Sequence, residues 1–319
     1  MELDFSVTSR KLISIVTPCY NEEVNIDKHF ARVSAAIEPF RAKYDFEHIY
    51  TDNSSADRTF EVLTKLGAAN SNVRAMRFSR NIGANRAIYM GLTHAKGDAA
   101  ILIQADLQDP PELIPEFIQG WEEGFDVVYG RILNRREGFF LNQIRKIYYK
   151  IITKLSDVPT PENAGEFRLT SRTVLNAIAL YQEDDLYLRG AIAHIGYRQK
   201  AVPYRRHARV EGKSSTNLLY LVGFALNGLI STTVVPIRAV IAIGFMTTVL
   251  GVVAATALIA TRIFFPGQVP SGVTTLVTCI TFFSGAQLFA LGVIGEYIRK
   301  IYIQSLHRPQ GFIQDKIGF

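Results

Sequence analysis

Cysteine is nearly absent from this chain. Cys19 and Cys279 are the only two among 319 residues, and they lie in regions of different character. A disulfide is therefore not expected, and reduced thiols fit a reducing compartment. The opening segment MELDFSVTSRKLISIV lacks a basic start followed by a long apolar run. No cleavable signal peptide is expected from it, and the polar part of the chain is expected to stay in the cytoplasm. Internal repeats and low-complexity linkers are missing as well. With no arginine-rich tract and no aromatic reader motif, nucleic acid is not an expected partner. The formal charge of +6 points instead to lipid headgroups or phosphates.

Charge itself is missing from two stretches. None occurs from Ala239 to Thr261, and none from Ile263 to Gly295. Each run exceeds the roughly 20 residues that cross a hydrocarbon core. Two transmembrane helices are expected, at about 237–263 and 272–298 within a region 236–299, with Phe264-Phe265-Pro266-Gly267 as their turn. Arg205, Arg206, Arg209 and Lys213 precede the spans, Arg299, Lys300 and Arg308 follow them, and the turn has Arg262 nearby. The positive-inside bias then puts both ends in the cytoplasm, and in a bacterium the membrane is the inner one. The expected organisation is a soluble domain over 1–213, a juxtamembrane amphipathic helix over 214–235, the helical hairpin, and a cytoplasmic tail over 300–319.

The soluble part alternates apolar runs of strand length with helical periodicity. LISIVTPCY (12–20), FEHIYTDN (46–53), VRAMRFS, AAILIQA and FDVVYGR predict five strands. Between them, Ile26, Phe30, Val33 and Ile37 recur at helical spacing. RTFEVLTKLGAA follows the cap candidate Asp57, GANRAIYMGLTHAKG is expected to close at Gly97, and PELIPEFIQGWEEG supplies the next helix. Such β-α alternation predicts an α/β fold with a doubly wound, mostly parallel sheet. FFLNQIRKIYYKIITKLS reads as a further amphipathic helix, and YRQKAVPYRRHAR as an edge strand.

Three strand ends carry polar clusters: Thr17 to Glu22, Asp52 to Ser55, and Gln104 to Asp109. Open α/β sheets bind ligands at the carboxyl ends of their strands, so these clusters predict one site. Asp106 and Gln108, two apart, offer a carboxylate and an amide oxygen to a hard cation such as Mg²⁺ or Mn²⁺. The competing reading is that DLQDPPE turns the chain and that Asp109 caps the helix after Pro110-Pro111.

In chain order, SIVTPCYNEEVNI, TDNSSADRT, FSRNIGANRAIYMGL, ADLQDPPE, VVYGR, AGEFRLTSR and RVEGKSS resemble family 2 glycosyltransferases of the GT-A fold. Within them the chain looks most like polyprenyl-phosphate glycosyltransferases, bacterial relatives of dolichyl-phosphate mannose synthase. The resemblance implies a GT-A catalytic domain joined to a two-helix transmembrane hairpin. It implies that Pro18, Tyr20, Asn21, Glu22 and Arg80 border the nucleotide, that Asp52 faces the base, and that Asp106 and Gln108 ligate the metal. Gln104 stands where a first aspartate of D-x-D is common, which removes one negative charge from the loop. Arg131 and Arg145 match the pair that takes the acceptor phosphate, with Arg168 beside them. Arg209 and Lys213 match a mobile loop over the donor diphosphate. Glu166 takes the acidic position of a G-D-F-R-L segment, which resembles a general base. It also admits a part in positioning the acceptor, organising Arg168 or capping the helix near Ser171.

The reaction so implied is metal-dependent and inverting. A polyprenyl phosphate oxygen displaces nucleoside diphosphate from the sugar, with UDP-glucose the preferred donor. GDP-mannose, UDP-N-acetylglucosamine and an aminoarabinose donor are alternatives. A processive polysaccharide synthase would carry Q-x-x-R-W, but Trp121, the single tryptophan, follows Gly120. A membrane scaffold or lipid-linked-sugar carrier is the non-catalytic alternative, disfavoured by spans without an internal charge. The tail HRPQGFIQDKIGF is long enough to pack on a second copy in a homo-oligomer or to end unattached.

Overall fold

The computed structural model describes residues 10–133, 164–181, 183, 186–206, 235–264 and 272–319. The described chain forms two compact units, one containing every strand and the other the two long C-terminal helices.

In the first unit, β1 (Lys11–Cys19), β2 (Tyr44–Asp52), β3 (Val73–Phe78), β4 (Ala99–Leu102), β5 (Val127–Ile132), β6 (Ala164–Ser171), β7 (Gln199–Tyr204) and β8 (Ile313–Ile317) make one sheet. Its order is β7-β5-β6-β4-β1-β2-β3-β8. The β4, β1, β2 and β3 strands run parallel, as do β5 and β7, whereas β6 and β8 run against their neighbours. The mostly parallel α/β sheet agrees with the β-α alternation of the sequence. The helices are α1 (Ile26–Ile37), α2 (Thr59–Ala69), α3 (Ala84–His94), α4 (Ile114–Glu122), α5 (Arg172–Ala179) and α6 (Leu188–Ile195).

The central strands are apolar on both faces because helices cover both. Ile13, Ile15, Val16, Ile49, Ile101 and Leu102 are buried, and α1 and α4 pack on one side while α3 and α5 pack on the other. A side chain of this size contributes about 1.5–3 kcal/mol when fully buried. After β3 the chain passes back through α3 to β4 on the far side of β1. The strand order therefore reverses between β1 and β4, the place where open α/β sheets bind their ligands.

Several expectations differ from the observed elements. Gly97 does not close α3, whose last turn passes to Ala95 in extended conformation. Its missing side chain instead makes room for β1, since a Cβ there would stand 2.7 Å from the Ser14 backbone nitrogen. The helix expected over 111–124 is divided into a 3₁₀ turn, Pro111–Leu113, and α4, because Pro115 is tolerated only in the first turn of a helix. The tail is neither free nor merely a tail. Its β8 pairs with β3, Ser79 donates to the Phe312 carbonyl at 2.9 Å, and Gln310 donates to the Glu183 carbonyl at 2.6 Å.

The second unit consists of α7 (Val235–Phe264) and α8 (Val273–Ser305). Both are longer than the spans expected from charge alone. When only the described residues are counted, no helix is long and apolar enough to cross a membrane. Ile241, Phe245, Val253, Phe264, Leu288 and Phe289 are all more than half exposed. The amphipathic segments expected around 139–156 and 214–235 lie outside the described residues.

Candidate functional site

The carboxyl ends of β1, β2 and β4 meet at the reversal of strand order, and their loops are laced together. Asn21, just past β1, has φ +55°, a left-handed conformation that asparagine tolerates. Its backbone N–H donates to Ser55 Oγ at 2.9 Å, and its side-chain oxygen accepts from the Ala56 N–H at 2.8 Å. The Glu22 N–H donates to Thr59 Oγ1 at 2.9 Å, and its carboxylate accepts from Asn25 Nδ2 at 2.6 Å. Asp57 accepts from the N–H groups of Thr59 and Glu23 and so ties the start of α2 to the same loop. Pro18 is half-buried beside them and Tyr20 is exposed.

Asp52 ends β2 with no exposed surface. Its Oδ1 accepts from the Ser55 N–H at 3.2 Å and from the Ser55 hydroxyl. Arg77 Nε stands 3.6 Å from Oδ2, beyond hydrogen-bond reach, and Oδ2 has no donor among the described residues. Burial pushes this carboxyl above its usual range, against the pull of Ser55 and Arg77. A buried carboxylate oxygen without a donor is costly unless a ligand N–H fills it. Arg80, assigned by resemblance to the nucleotide, is exposed at the end of β3.

The loop after β4 turns on Leu107, at φ +57°. Asp106 Oδ1 accepts the Gln108 N–H at 3.1 Å and closes this turn. Asp106 and Gln108 offer only oxygen, the donor chemistry of Mg²⁺ and Mn²⁺. Among the described residues no group of three or more His, Cys, Asp or Glu side chains is placed to hold a metal.

Asp109 does not cap the following turn, which has no side-chain cap. It is buried, accepts the Tyr204 hydroxyl at 2.5 Å, and pairs with Arg206 Nε at 3.0 Å. Tyr204 reaches it by lying over Gly130, where a Cβ would be 2.6 Å from the ring. Burial raises the Asp109 carboxyl, opposed by Arg206 and Tyr204. Arg206 also donates to Gln104 Oε1 at 3.3 Å. It is thus a partner of the β4 loop and not only one of the charges flanking the apolar region.

On β6, Glu166 is clamped by two arginines. Arg189 Nε stands 2.5 Å from Oε1 and Arg168 Nη2 3.3 Å from Oε2. Burial pushes the carboxyl up, but Arg189, Arg168 and Arg206 together hold it below the usual range. The buried Arg168 also donates to the Gly165 carbonyl at 2.8 Å. The cap of α5 is Ser171, whose side chain accepts from the Val174 N–H, so Glu166 does not serve there. Arg131 is exposed on β5, opposite Ala164 of β6 and Pro203 of β7. Arg145, Arg209 and Lys213 lie outside the described residues.

The sequence alone did not single out Arg189, Tyr204, Arg206 or the inward role of Asp109. Each partner lies tens of residues away, and the only local signal was an excess of polar residues after β4.

The Glycosyl transferase family 2 model matches residues 14–179. An uncharacterized glycosyltransferase of Synechocystis is 36% identical, with 96% of each chain covered. A bactoprenol glucosyl transferase of Shigella phage SfV is 36% identical over 95% of this chain and 98% of that one. Among solved structures, a mannosyltransferase from Pyrobaculum calidifontis in complex with GDP-Man and Mn²⁺ is 15% identical over 92% of this chain and 88% of that one, with a TM-score of 0.46.

Proposed function

The chain belongs to glycosyl transferase family 2, and on that premise we propose that it moves glucose from UDP-glucose to a polyprenyl phosphate, with inversion at the anomeric carbon. A phosphate oxygen of the lipid forms the new bond to the anomeric carbon as the bond from that carbon to the β-phosphate oxygen breaks. UDP departs with the bonding electrons. The observation that carries this reading is the convergence of the β1, β2 and β4 ends at the reversal of strand order, with a buried Asp52 oxygen that has no donor among the described residues. A pyrimidine imide N–H supplies the donor that oxygen needs. Pro18, Tyr20, Asn21 and Glu22 line the approach to it, and Arg80 stands at the neighbouring strand end.

Asp106 and Gln108 would hold Mg²⁺ or Mn²⁺. When bound, the cation neutralises charge on the departing diphosphate, a kind of stabilisation whose loss typically costs about 10² to 10³ in rate. Glu166 is a poor proton acceptor, because three guanidinium groups favour its ionised form. Little proton removal is needed, since a phosphate monoester has its second pKa near ~6. In this reading Glu166 holds Arg168 and Arg189 in place, while Arg131 and Arg145 receive the lipid phosphate. Arginine suits that task because its planar fork binds phosphate oxygens in pairs. Arg209 and Lys213 close over the donor.

We also propose that α7 and α8 form a transmembrane hairpin, with the sheet domain and both termini in the cytoplasm. The uncharged runs and the exposed apolar side chains of both helices support this. A helix of 30 residues spans about 45 Å, more than the hydrocarbon core requires. The test is an assay of purified protein with radiolabelled nucleotide sugars and polyprenyl phosphate. Labelled lipid from UDP-glucose is the expected product, and label from another donor would replace the glucose assignment.

A further inference from the structure

Ser54, two residues past Asp52, has φ +60°, a left-handed conformation that a serine keeps only where its neighbours hold it. The buried Asn53 side chain is one such hold. Its Oδ1 accepts the Ile82 N–H at 2.8 Å and its Nδ2 donates to Asn81 Oδ1 at 3.0 Å, both on the loop after β3. Asn81 Oδ1 also accepts the Gly83 N–H at 3.0 Å, so one oxygen joins the β2 turn to the start of α3. That loop is held in turn by the C-terminal segment. The Ser79 N–H donates to the Phe312 carbonyl at 2.9 Å, and the buried Ile82 lies so close over Gly311 that a Cβ there would stand 2.8 Å from its terminal methyl. Ile313 packs against the buried cluster that contains Phe78 and Ile82. A second tie runs through β3. Arg77, in register with Asp315 of β8, donates from Nη2 to the Ser55 carbonyl at 3.3 Å.

We propose that the C-terminal segment 311–317 is a positioning element of the nucleotide pocket. Through Gly311 and Phe312 it seats the loop 79–83, and through Asn81 and Asn53 that loop fixes the angle at which Asp52 meets the base. The inference rests on the reading of Asp52 as the group that receives a pyrimidine N–H. The physical reason is direction. A hydrogen bond weakens steeply as its angle closes, so an acceptor on a turn that relaxes binds only in the fraction of molecules with the turn in place. The left-handed Ser54 gives the turn a reason to relax once Asn53 is released. Gly311, Asn81 and Asn53 are thus positioning residues, acting on the base through Asp52. The effect falls on the donor, because Arg131 of β5, assigned to the lipid phosphate, has β6, β4 and β1 between it and β2.

The test is calorimetric binding of UDP, with Mn²⁺ present, to the full-length protein in detergent, together with KM for UDP-glucose and for polyprenyl phosphate. Binding is measured well below each variant's thermal midpoint, where lost stability alone leaves UDP affinity unchanged. Gly311→Ala should weaken UDP by about fivefold and raise KM for UDP-glucose in proportion, with KM for polyprenyl phosphate within about twofold. Ile82→Val in the same chain removes the methyl that meets the new Cβ, and should restore UDP affinity to within about twofold of the wild type. Asn81 is exposed, so Asn81→Ala cuts the tie to Asn53 without touching the core; it should cost about tenfold in UDP affinity. Asp52→Asn tests the underlying reading and should lose at least about tenfold. UDP affinity within about twofold of the wild type in Gly311→Ala, or a loss there that Ile82→Val does not restore, would overturn the positioning role while Asp52→Asn still showed its loss. Undiminished UDP binding in Asp52→Asn would overturn the base reading and this inference with it.

Discussion

Arg189 Nε lies 2.5 Å from Glu166 Oε1, on the opposite side of the carboxylate from Arg168. The two arginines, with Arg206 beyond them, hold Glu166 ionised. The folded-state pKa is depressed, so the stability this cluster contributes is present above the unfolded carboxylate pKa and is lost as pH falls through the folded value. The rate–pH profile should therefore show no acid limb from Glu166 near neutrality. Arg189→Ala should shift any limb that appears upward and lower kcat. A limb near pH 6–7 in the native enzyme that disappears in Glu166→Gln would reinstate Glu166 as the base.

His29 and His48 supply a second pH dependence, this one of stability. Both are fully buried, and burial lowers each to about 3. The unfolded chain binds these protons near pH 6.5, whereas the folded chain resists them. Stability is then complete above about pH 6.5 and declines as pH falls towards 3, by at most about 1.4 kcal/mol per pH unit for each histidine. The thermal midpoint should fall through this window, and His48→Phe should flatten the fall. An unchanged slope in that variant would count against the assignment.

Asp106→Ala should reduce metal-stimulated turnover by about 10² or more with the fold intact, because it removes the carboxylate assigned to the cation. Near-normal turnover at saturating Mn²⁺ would take Asp106 out of the site.

Arg131→Ala with Arg145→Ala should raise KM for polyprenyl phosphate by about tenfold or more and leave KM for the nucleotide sugar within about twofold. Losing one bidentate phosphate contact costs on the order of 1.5–3 kcal/mol. Equal effects on both substrates would argue against an acceptor role.

Deleting residues 307–319 should destabilise the sheet domain, since β8 covers the outer edge of β3. Ile317 packs where a Cβ on Gly67 would be 2.6 Å from its methyl group, and Phe319 stacks on Arg74. At about 2–4 °C per kcal/mol, the loss of several kcal/mol should lower the midpoint by on the order of 10 °C. An unchanged midpoint would mean that β8 contributes nothing to the domain.

Much of this protein was legible locally. A strand such as Ala99–Leu102 is apolar on both faces, and that pattern calls for helices above and below a parallel sheet. Polar residues at three strand ends then had to share one edge. The two uncharged runs likewise announced long apolar helices. What the sequence could not carry was pairing over distance: whether Asp109 faces solvent or Arg206, whether Glu166 stands alone or between Arg168 and Arg189, and whether the tail ends free or becomes β8. Those outcomes depend on which side chains the completed sheet brings within about 3 Å of one another. Hydrophobic periodicity fixes where a strand is buried, whereas the partners of a buried charge are set only when distant segments close around it.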